Sequence, residues 1–293
     1  MRRMEGRLKE NLEACLPEMS GKDVATRSSS GVVLNALAKE YPEIVGGSAD
    51  LTPSNNTALK CSFDFTAVSL SRWSHKQTTP EGRYIRFGVR EHAMAAICNG
   101  LCAYGGFLPF CATFFVFIGY CLGAVRISAL SQLHVLYIMT HDSIGVGEDG
   151  PTHQPVEQLW QLRNMPGVTV IRPADGREVA GAYLQYMKGT GPFVFALSRQ
   201  NLPYLEGSCA EAVAKGAYVL KDCEGKPDVI LVGTGSEVSL CMEAAKKLEK
   251  KVRVVSMPCM ELFEKQSEEY KKSVFTEGTP ILGVEAGAVH GNC

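Results

Sequence analysis

The densest group of polar and charged side chains lies in residues 140–154, directly after an apolar run at 134–140. His141, Asp149 and His153 supply imidazole and carboxylate groups, and three glycines between them let the backbone turn sharply or approach a ligand. Ligand sites of parallel sheets lie beyond the carboxyl ends of strands. The stretch therefore predicts a substrate-binding loop. The alternative is a loop whose Asp and Ser side chains bond their own backbone.

A second group, residues 84–92, runs from a predicted strand through charged residues into a helix predicted to begin near Ala93. Glu91 stands where the strand gives way to an apolar segment. Its carboxylate would be largely removed from water there, so it would need a protonated or hydrogen-bonding partner. Two interpretations stay open on these residues alone: a carboxylate that meets a ligand, or an ion pair with Arg86 or Arg90.

A third pattern is aromatic. Phe114, Phe117 and Tyr120 recur at every third position, so they share one flank of a helix or a tight turn. Judged by its residues alone, such a stripe is more typical of a core than of a cofactor contact.

Two weaker patterns receive structural interpretations. Residues 233–237 lead from a strand into a helix but lack the third glycine of a dinucleotide-binding motif, so we interpret Thr234 and Glu237 as a helix-capping box. The His and Asp residues of 140–154 have no familiar helical spacing of metal ligands, and we predict no metal site among them.

Short apolar runs alternate with longer segments of helical period, which is typical of parallel α/β proteins. We predict a helical lead-in over 1–20, an α/β domain over 21–205, a linker over 206–213 and a second α/β domain over 214–293. Asp175 and Glu178 predict a capping box at the start of one helix. The last predicted strand is followed only by residues 285–293, so we expect the chain to stop inside that domain. The predicted strands are 43–46, 84–89, 107–113, 134–140, 168–172, 193–197, 229–232, 252–256 and 281–284.

Composition excludes several classes of function. The 293 residues are 45% hydrophobic and 21% charged, which is enough apolar material for real cores and excludes wholesale disorder. Lys and Arg number 30 against 31 Asp and Glu, so the chain lacks the charge of a nucleic-acid-binding surface. The 11 cysteines include no CxxC pair, which predicts reduced, mostly buried thiols and a cytoplasmic protein.

One stretch needs a check for membrane insertion, because residues 93–125 contain no charged side chain. Glycines and Pro109 divide the run into pieces too short to span a bilayer. We therefore predict a buried helix, a buried strand and a second helix, each shielded on all sides by protein.

Six motifs occur in the order found in the transketolase family, and several are long enough to exclude chance. Over nearly its whole length the sequence resembles the pyrimidine-binding domain of transketolase and the first part of its C-terminal domain. The resemblance implies a parallel-sheet α/β domain that binds the pyrimidine half of thiamine diphosphate, followed by a second, incomplete α/β domain. The motifs are residues 46–55, 83–92, 141–155, 172–175, 197–203 and 234–238.

The resemblance also implies a role for each candidate residue. In the family, the glutamate at the position of Glu91 hydrogen-bonds N1′ of the aminopyrimidine and so favours its imino tautomer. The residues that match the family's pyrimidine contacts are Phe114, Phe117 and Tyr120. Those that match its sugar-phosphate contacts are Arg27, Ser54, His141 and Arg199. Those that match its contacts to substrate hydroxyls are Asp149 and His153. Glu91 and His153 are the expected catalytic residues.

The resemblance leaves part of the family's cofactor site without a counterpart. Transketolases hold Mg²⁺ and the diphosphate in an N-terminal domain, and nothing before Arg27 matches its Gly-Asp-Gly…Asn segment. In the family, the cofactor lies between the pyrimidine domain of one subunit and the diphosphate domain of another. We therefore expect only the pyrimidine half of the site in this chain, without the Mg²⁺ ligands.

The implied reaction transfers a two-carbon ketol unit from a ketose phosphate to an aldose phosphate in the pentose phosphate pathway, and this chain is expected to be a fragment that is inactive alone. One alternative is a partner subunit of a split thiamine diphosphate enzyme, either a split transketolase or a 2-oxo-acid dehydrogenase β subunit. Another is a non-catalytic truncated form that dimerises with full-length enzyme. The expected partners are sugar phosphates, and a second copy or a chain carrying the diphosphate-binding domain, but neither nucleic acid nor membrane.

Overall fold

The computed structural model describes residues 12–19, 21–66 and 78–288. They form an α/β fold with two sheets, so the predicted fold class is confirmed. The helical lead-in predicted for 1–20 falls largely outside the described residues, and within it Glu13–Cys15 forms a single 3-10 turn.

The first sheet has eight strands in the order β3-β2-β4-β1-β5-β6-β8-β7, and every neighbouring pair is parallel. Its strands are β1 Ile44–Ser48, β2 Asp64–Phe65, β3 Thr78–Thr79, β4 Tyr84–Arg86, β5 Leu108–Phe114, β6 Leu136–Thr140, β7 Thr169–Ile171 and β8 Phe193–Leu197.

Helices cover both faces of this sheet, and the strands alternate their side chains between two cores. In β6, Leu136 and Ile138 join one core while Tyr137 and Met139 join the other, because successive side chains of a strand point to opposite faces. The helices of the first domain are α1 Thr26–Glu40, α2 Thr52–Asn55, α3 Glu91–Tyr104, α4 Leu122–Leu130, α5 Gln158–Arg163 and α6 Gly176–Lys188.

The uncharged run 93–125 forms most of α3, all of β5 and a 3-10 segment, Phe115–Cys121, that leads into α4. The strand is buried throughout, as predicted. The prediction that the helices are shielded on all sides is wrong, because Ile97 and Ile127 are each 48% exposed, Tyr104 is 85% exposed and Leu130 is 70% exposed. We call these four residues the α3–α4 face. Within the described residues, no helix is both long and apolar enough to cross a membrane.

The second sheet has four strands in the order β12-β10-β11-β9, with β9 antiparallel to β11 and the other pairs parallel. We call the part of the chain that carries it the second domain. Its strands are β9 Tyr218–Lys221, β10 Val229–Gly233, β11 Val252–Ser256 and β12 Ile281–Val284, and its helices are α7 Glu237–Lys247, α8 Met260–Glu264 and α9 Glu268–Val274.

The two predicted capping boxes have different outcomes. Asp175 caps α6, since its carboxylate accepts a hydrogen bond from the backbone N–H of Glu178 at 3.0 Å. The box predicted for Thr234 and Glu237 is wrong. Glu237 is the first residue of α7, and both side chains instead accept hydrogen bonds from a buried arginine, Arg172, of the first domain.

The parallel arrangement brings the ends of several strands to one edge of the first sheet. The segments that leave this edge carry Ser54 after β1, Phe117 after β5, His141 after β6 and Arg199 after β8. Ligands of parallel sheets bind at this edge, so the fold brings together residues that are far apart in sequence.

Candidate functional site

Two arginines and a serine converge at this edge of the sheet. Arg27 lies in the first turn of α1 and donates from Nη1 to the backbone oxygen of Ser54 at 2.7 Å. Burial and the positive charge of Arg199 lower the pKa of Arg27, while Asp149 acts in the opposite sense, so all three charges lie close together. Nε of Arg27 is buried and has no hydrogen-bond partner among the described residues. Two adjacent guanidinium groups of this kind form a ready site for an anion.

His141 lies between the arginines and the aromatic residues. Its backbone has φ = 61°, its Nδ1 is 2.9 Å from Oγ1 of Thr140, and its ring is stacked on Phe114. Burial, followed by the charges of Arg27 and Arg199, lowers its pKa from 6.5 to about 3. The imidazole is therefore neutral at physiological pH, and the contact with Thr140 leaves Nε2 available to a ligand.

Phe114, Phe117 and Tyr120 form a ladder of rings. The centroids are 5.9 Å and 6.0 Å apart, with interplanar angles of 10° and 29°. Exposure increases along the ladder, from the buried Phe114 to Tyr120, which is 69% exposed. His153 packs edge-on against Phe117 at 5.2 Å. A ladder that opens to solvent at one end can receive a further planar ring.

Glu91 is the first residue of α3 and is 9% exposed. The ion pair considered for it is not formed with either arginine. Arg86 pairs with Asp64 at 2.6 Å, and Arg90 donates to the backbone oxygen of Phe87 at 2.8 Å. The carboxylate at the helix N-terminus thus stays available to a ligand that can donate a hydrogen bond.

Glu91 also lies close to the aromatic ladder. Burial, followed by the charge of Glu91, raises the pKa of Cys121 to about 12. Cys121 is the last residue of the 3-10 segment that carries Phe117 and Tyr120. A flat ring packed on the ladder would therefore have a carboxylate nearby.

The glycine-containing loop after β6 adds further polar groups. Two short 3-10 turns, Gly147–Asp149 and Pro151–His153, present the Asp149 carboxylate near Arg27 and the His153 imidazole beside the ladder. Within residues 12–19, 21–66 and 78–288, no three His, Cys, Asp or Glu side chains are grouped so that they could hold a metal ion.

The sequence patterns missed one buried pair at this edge. Arg172 follows β7 and is fully buried, and its Nε donates to Oδ2 of Asp142 at 2.8 Å. Asp142 is the neighbour of His141 in the chain. The only available signal was a charged residue directly after an apolar run, which by itself does not identify a partner.

Together these groups define two adjoining subsites. One holds two cations and a neutral imidazole next to Ser54, which suits a phosphate group. The other holds an aromatic ladder and a buried carboxylate, which suits a flat nitrogen heterocycle. Such a pair of subsites at the strand ends of a parallel sheet is typical of enzymes that bring a ring cofactor and a phosphorylated substrate together.

Comparison with known proteins agrees with this class. Residues 22–204 match the family model described as "Transketolase, pyrimidine binding domain". Residues 216–292 match the model described as "Transketolase-like TK C-terminal domain". The chain therefore belongs to the transketolase family.

Relatives agree at the level of sequence and structure. Transketolase 1 of Saccharomyces cerevisiae is 51% identical over 291 residues, which is 97% of this chain and 42% of that relative. A transketolase structure from Pichia stipitis, in complex with sedoheptulose-7-phosphate, superimposes with a TM-score of 0.94 at 49% identity, over 99% of this chain and 43% of the other. The chain thus spans about two fifths of the length of these relatives.

A more distant relative of known structure is matched over most of its own length. A split-gene transketolase, described as an inactive β4 tetramer, superimposes with a TM-score of 0.70 at 26% identity. The match covers 91% of this chain and 81% of that one. A chain of nearly this extent therefore occurs in the family as a separate polypeptide.

Proposed function

We propose that this chain supplies the pyrimidine half of a thiamine diphosphate site together with the adjoining sugar-phosphate site. The complete enzyme would transfer a two-carbon ketol unit from a ketose phosphate to an aldose phosphate in the pentose phosphate pathway. The observation that carries the proposal is the convergence of Arg27, Arg199 and His141 beside the aromatic ladder and Glu91.

The residues of the ladder fit the pyrimidine ring of the cofactor. Phe114, Phe117 and Tyr120 would hold its face, and the outermost ring has open space beside it. Glu91, at the N-terminus of α3, would accept a hydrogen bond from protonated N1′ and hold that proton in place. Thiamine diphosphate, when bound, supplies the carbon nucleophile that the transfer of a ketol unit requires.

The sugar phosphate would bind along the loop after β6. Arg27, Arg199, His141 and Ser54 would hold the phosphate group, because charge-assisted hydrogen bonds from two guanidinium groups outweigh those of neutral donors. Asp149 and His153 would contact the sugar hydroxyls, and His153 would exchange a proton with one of them.

We also propose that a chain carrying the diphosphate-binding domain, or a second copy of the protein, packs on the α3–α4 face. The face presents Ile97, Tyr104, Ile127 and Leu130 to solvent, and exposed apolar groups of this kind mark interaction surfaces. Tyr120, at the open end of the ladder, belongs to the 3-10 segment Phe115–Cys121, which contacts both α3 and α4, so a partner on this face would enclose the cofactor site. That partner would carry the ligands of the diphosphate and of Mg²⁺. The cytoplasmic location predicted from the cysteines belongs to the same proposal.

The split form is the second candidate. It is favoured by the coverage of the split-gene relative, 81% of whose chain this sequence matches. In that case the natural partner is a separate chain. A non-catalytic form that dimerises with full-length enzyme uses the same surface but gives no activity on mixing.

Complementation tests the proposed function. The purified chain is assayed with xylulose 5-phosphate and ribose 5-phosphate in the presence of Mg²⁺ and thiamine diphosphate, alone and mixed with the N-terminal domain of a full-length relative. We expect turnover only in the mixture. Glu91→Gln should lower the rate by about 100-fold, since general acid–base groups contribute factors of this order. The exposed Glu81→Gln is the matched control. Substantial turnover by the chain alone would refute the proposal of a half site.

Binding to the isolated chain tests the substrate half separately. Calorimetric titration with ribose 5-phosphate should show an affinity that Arg27→Met and Arg199→Met each lower by about tenfold or more, the value of a charged hydrogen bond. Arg126→Met changes an exposed arginine of α4 and should leave the affinity unchanged. Equal affinities in all four proteins would count against the sugar-phosphate site.

A further inference from the structure

Arg172 connects the two domains at the site edge of the first sheet. Its backbone N–H donates to the oxygen of Pro258 at 2.8 Å, and its backbone oxygen accepts from the N–H of Gly235 at 3.1 Å. The side chain is fully buried, so every guanidinium N–H group needs a protein partner.

The second domain holds the outer end of this guanidinium. Nη1 donates to the backbone oxygen and Oγ1 of Thr234, both at 2.9 Å, and to the carboxylate of Glu237. Nη2 donates to Oγ of Ser236 at 3.1 Å. Gly235 has φ = 52°, and a Cβ at this position would lie 2.8 Å from Cγ and Nε of Arg172, so only glycine lets the turn close over the side chain.

A second ion pair keeps this turn in place. Glu285 accepts from Nη1 and Nη2 of Arg163 at 2.7 Å each, in the two-pronged geometry typical of strong arginine–carboxylate pairs. The same carboxylate accepts from Oγ1 of Thr234 at 2.6 Å. The hydroxyl of Thr234 therefore links Arg172 to a buried pair that also joins the two domains.

The inner end of Arg172 points to the candidate site. Nε donates to Oδ2 of Asp142, whose side chain is 2% exposed, while Oδ1 of Asp142 is buried without a partner among the described residues. A buried carboxylate that loses its counter-charge carries a large desolvation penalty. The position of Asp142 therefore depends on where Arg172 is held, and His141 is the preceding residue.

We propose that Arg172 is a positioning residue for His141 and that the second domain, through Thr234, Gly235 and Glu237, sets the geometry of the sugar-phosphate site by fixing this arginine. The sugar-phosphate assignment rests on the function proposed above. The second domain then has a defined task at a site to which none of its residues in 206–288 is assigned as a ligand. Loosening its hold moves the backbone that carries the His141 imidazole, although Arg27 and Arg199 stay in place.

Two substitutions in the second domain loosen this hold without touching the site. Glu237→Gln removes the negative charge that Nη1 of Arg172 contacts, at nearly constant shape. Gly235→Ala instead places a Cβ against Cγ and Nε of Arg172. Asp222→Asn is the matched control, because it cuts the exposed Asp222–Arg253 ion pair of the same domain, remote from Arg172.

Two readouts separate positioning from simple stabilisation. One is the imidazole ¹H–¹⁵N NMR spectrum of His141 in the folded 293-residue chain, assigned with His141→Gln. The other is the affinity for ribose 5-phosphate. We expect both second-domain variants to stay folded at 20 °C, to shift the His141 signal and to bind the sugar phosphate about tenfold more weakly, as neighbouring groups in one network do. The control should change neither readout.

The outcomes distinguish the two proposals. If the variants lower only the melting temperature and leave the His141 signal in place, Arg172 is structural and the positioning role is wrong. If the His141 signal moves but the unaltered chain does not bind ribose 5-phosphate, the positioning role holds and the sugar-phosphate site is wrong. Should one variant fail to fold, the other decides the question, since they act on Arg172 in different ways.

Discussion

The imidazole of His141 lies on the ring of Phe114, with their centroids 3.7 Å apart and their planes 28° from parallel. The backbone of His141 is left-handed, and Nδ1 at the edge of its ring lies 2.9 Å from Oγ1 of Thr140. Positive φ is uncommon for a residue with a side chain and is found where the surrounding structure requires it. This contact joins the cationic subsite to the aromatic one, so the chemistry of His141 reports on both.

His141 should stay unprotonated down to a pH well below the ordinary pKa of histidine. Its pKa is lowered from 6.5 to about 3, so it stays neutral in the folded chain at pH 5, where an ordinary imidazole is charged. The unfolded chain takes up this proton first, and the stability contributed by the neutral ring is therefore lost as pH falls from 6.5 towards 3. Imidazole ¹⁵N shifts measured between pH 4 and 8 check this, and an ordinary titration curve for His141 would contradict it.

An anion at the cationic subsite should raise the pKa of His141. A dianion placed among Arg27, Arg199 and His153, the charged and titratable groups that lower this pKa, offsets their repulsion of the imidazolium. Sulfate is the best probe because it does not itself titrate near neutral pH. We expect the His141 titration to move upwards with added sulfate and to move little with the same ionic strength of chloride. Arg199→Gln should raise the pKa without any anion, which checks the assigned cause.

Glu178 should make the chain less stable as pH rises, whereas a salt-bridged acid makes a protein more stable as pH rises. Burial, followed by repulsion from Asp175, raises its pKa from 4.5 to about 7, although Ser256 and Tyr218 both donate to its carboxylate. The stability contributed by the protonated form is full below pH 4.5 and is lost as pH rises to about 7.

Glu178→Gln tests this. The unaltered chain should lose stability from pH 4.5 to pH 8, whereas the variant has no carboxyl here to titrate. The difference in unfolding free energy should therefore shift in favour of the variant by up to about 3 kcal/mol over this range, which is the free-energy equivalent of the pKa shift of Glu178. Urea unfolding at both pH values gives the difference. The exposed Glu243→Gln, whose carboxylate pairs with Lys246, is the control. A difference between Glu178→Gln and the unaltered chain that does not change with pH would show that the carboxyl has an ordinary pKa.

Gly181 should be required by the packing of α6 on the segment that joins the two domains. A Cβ at this position would lie 2.3 Å from the backbone oxygen of Ala210 and 2.6 Å from Cγ2 of Val213. Alanine normally stabilises a helix by about 1 kcal/mol over glycine. Here we expect Gly181→Ala to destabilise the chain by about 2 kcal/mol, as overpacking does.

Gly100→Ala provides the matched comparison, because a Cβ at this position of α3 would meet nothing within 4 Å apart from the neighbouring residues and backbone of its own helix. It should leave stability unchanged or raise it. Thermal unfolding of both variants decides the point. Equal melting temperatures of Gly181→Ala and Gly100→Ala would mean that the backbone around Ala210 can move to make room for the added methyl group.

Local patterns predict those elements that coincide with one short, mainly apolar run. The strands at 193–197, 252–256 and 281–284 agree residue for residue, because both ends of each run are visible in the sequence, although Ile281 and Leu282 of the third strand are exposed rather than buried. Thr234 and Glu237 were misread because a capping pattern depends on four adjacent residues, whereas their true partner, Arg172, is more than 60 residues away. The residues around Thr234 and Glu237 carry no pattern that indicates a contact with an arginine of the other domain. The exposure of the α3–α4 face is missed for a related reason, since a helix that is apolar all round gives the same sequence pattern whether one of its faces is exposed or buried.

The α3–α4 face should control association rather than folding. Tyr104 is 85% exposed, although its ring contacts that of Phe107 with the centroids 6.3 Å apart, so Tyr104→Glu removes little packing within the chain and should change its thermal unfolding little. A charge within an apolar interface would, however, be buried without a partner, so we expect binding to the diphosphate-domain chain to weaken by at least about tenfold. Sedimentation of labelled mixtures measures this. Leu240→Glu, at a residue of α7 that is 58% exposed, is the control and should leave association intact. If Tyr104→Glu and Leu240→Glu bind the partner as tightly as the unaltered chain, the partner packs elsewhere, and the open end of the ladder at Tyr120 must be enclosed by a different surface.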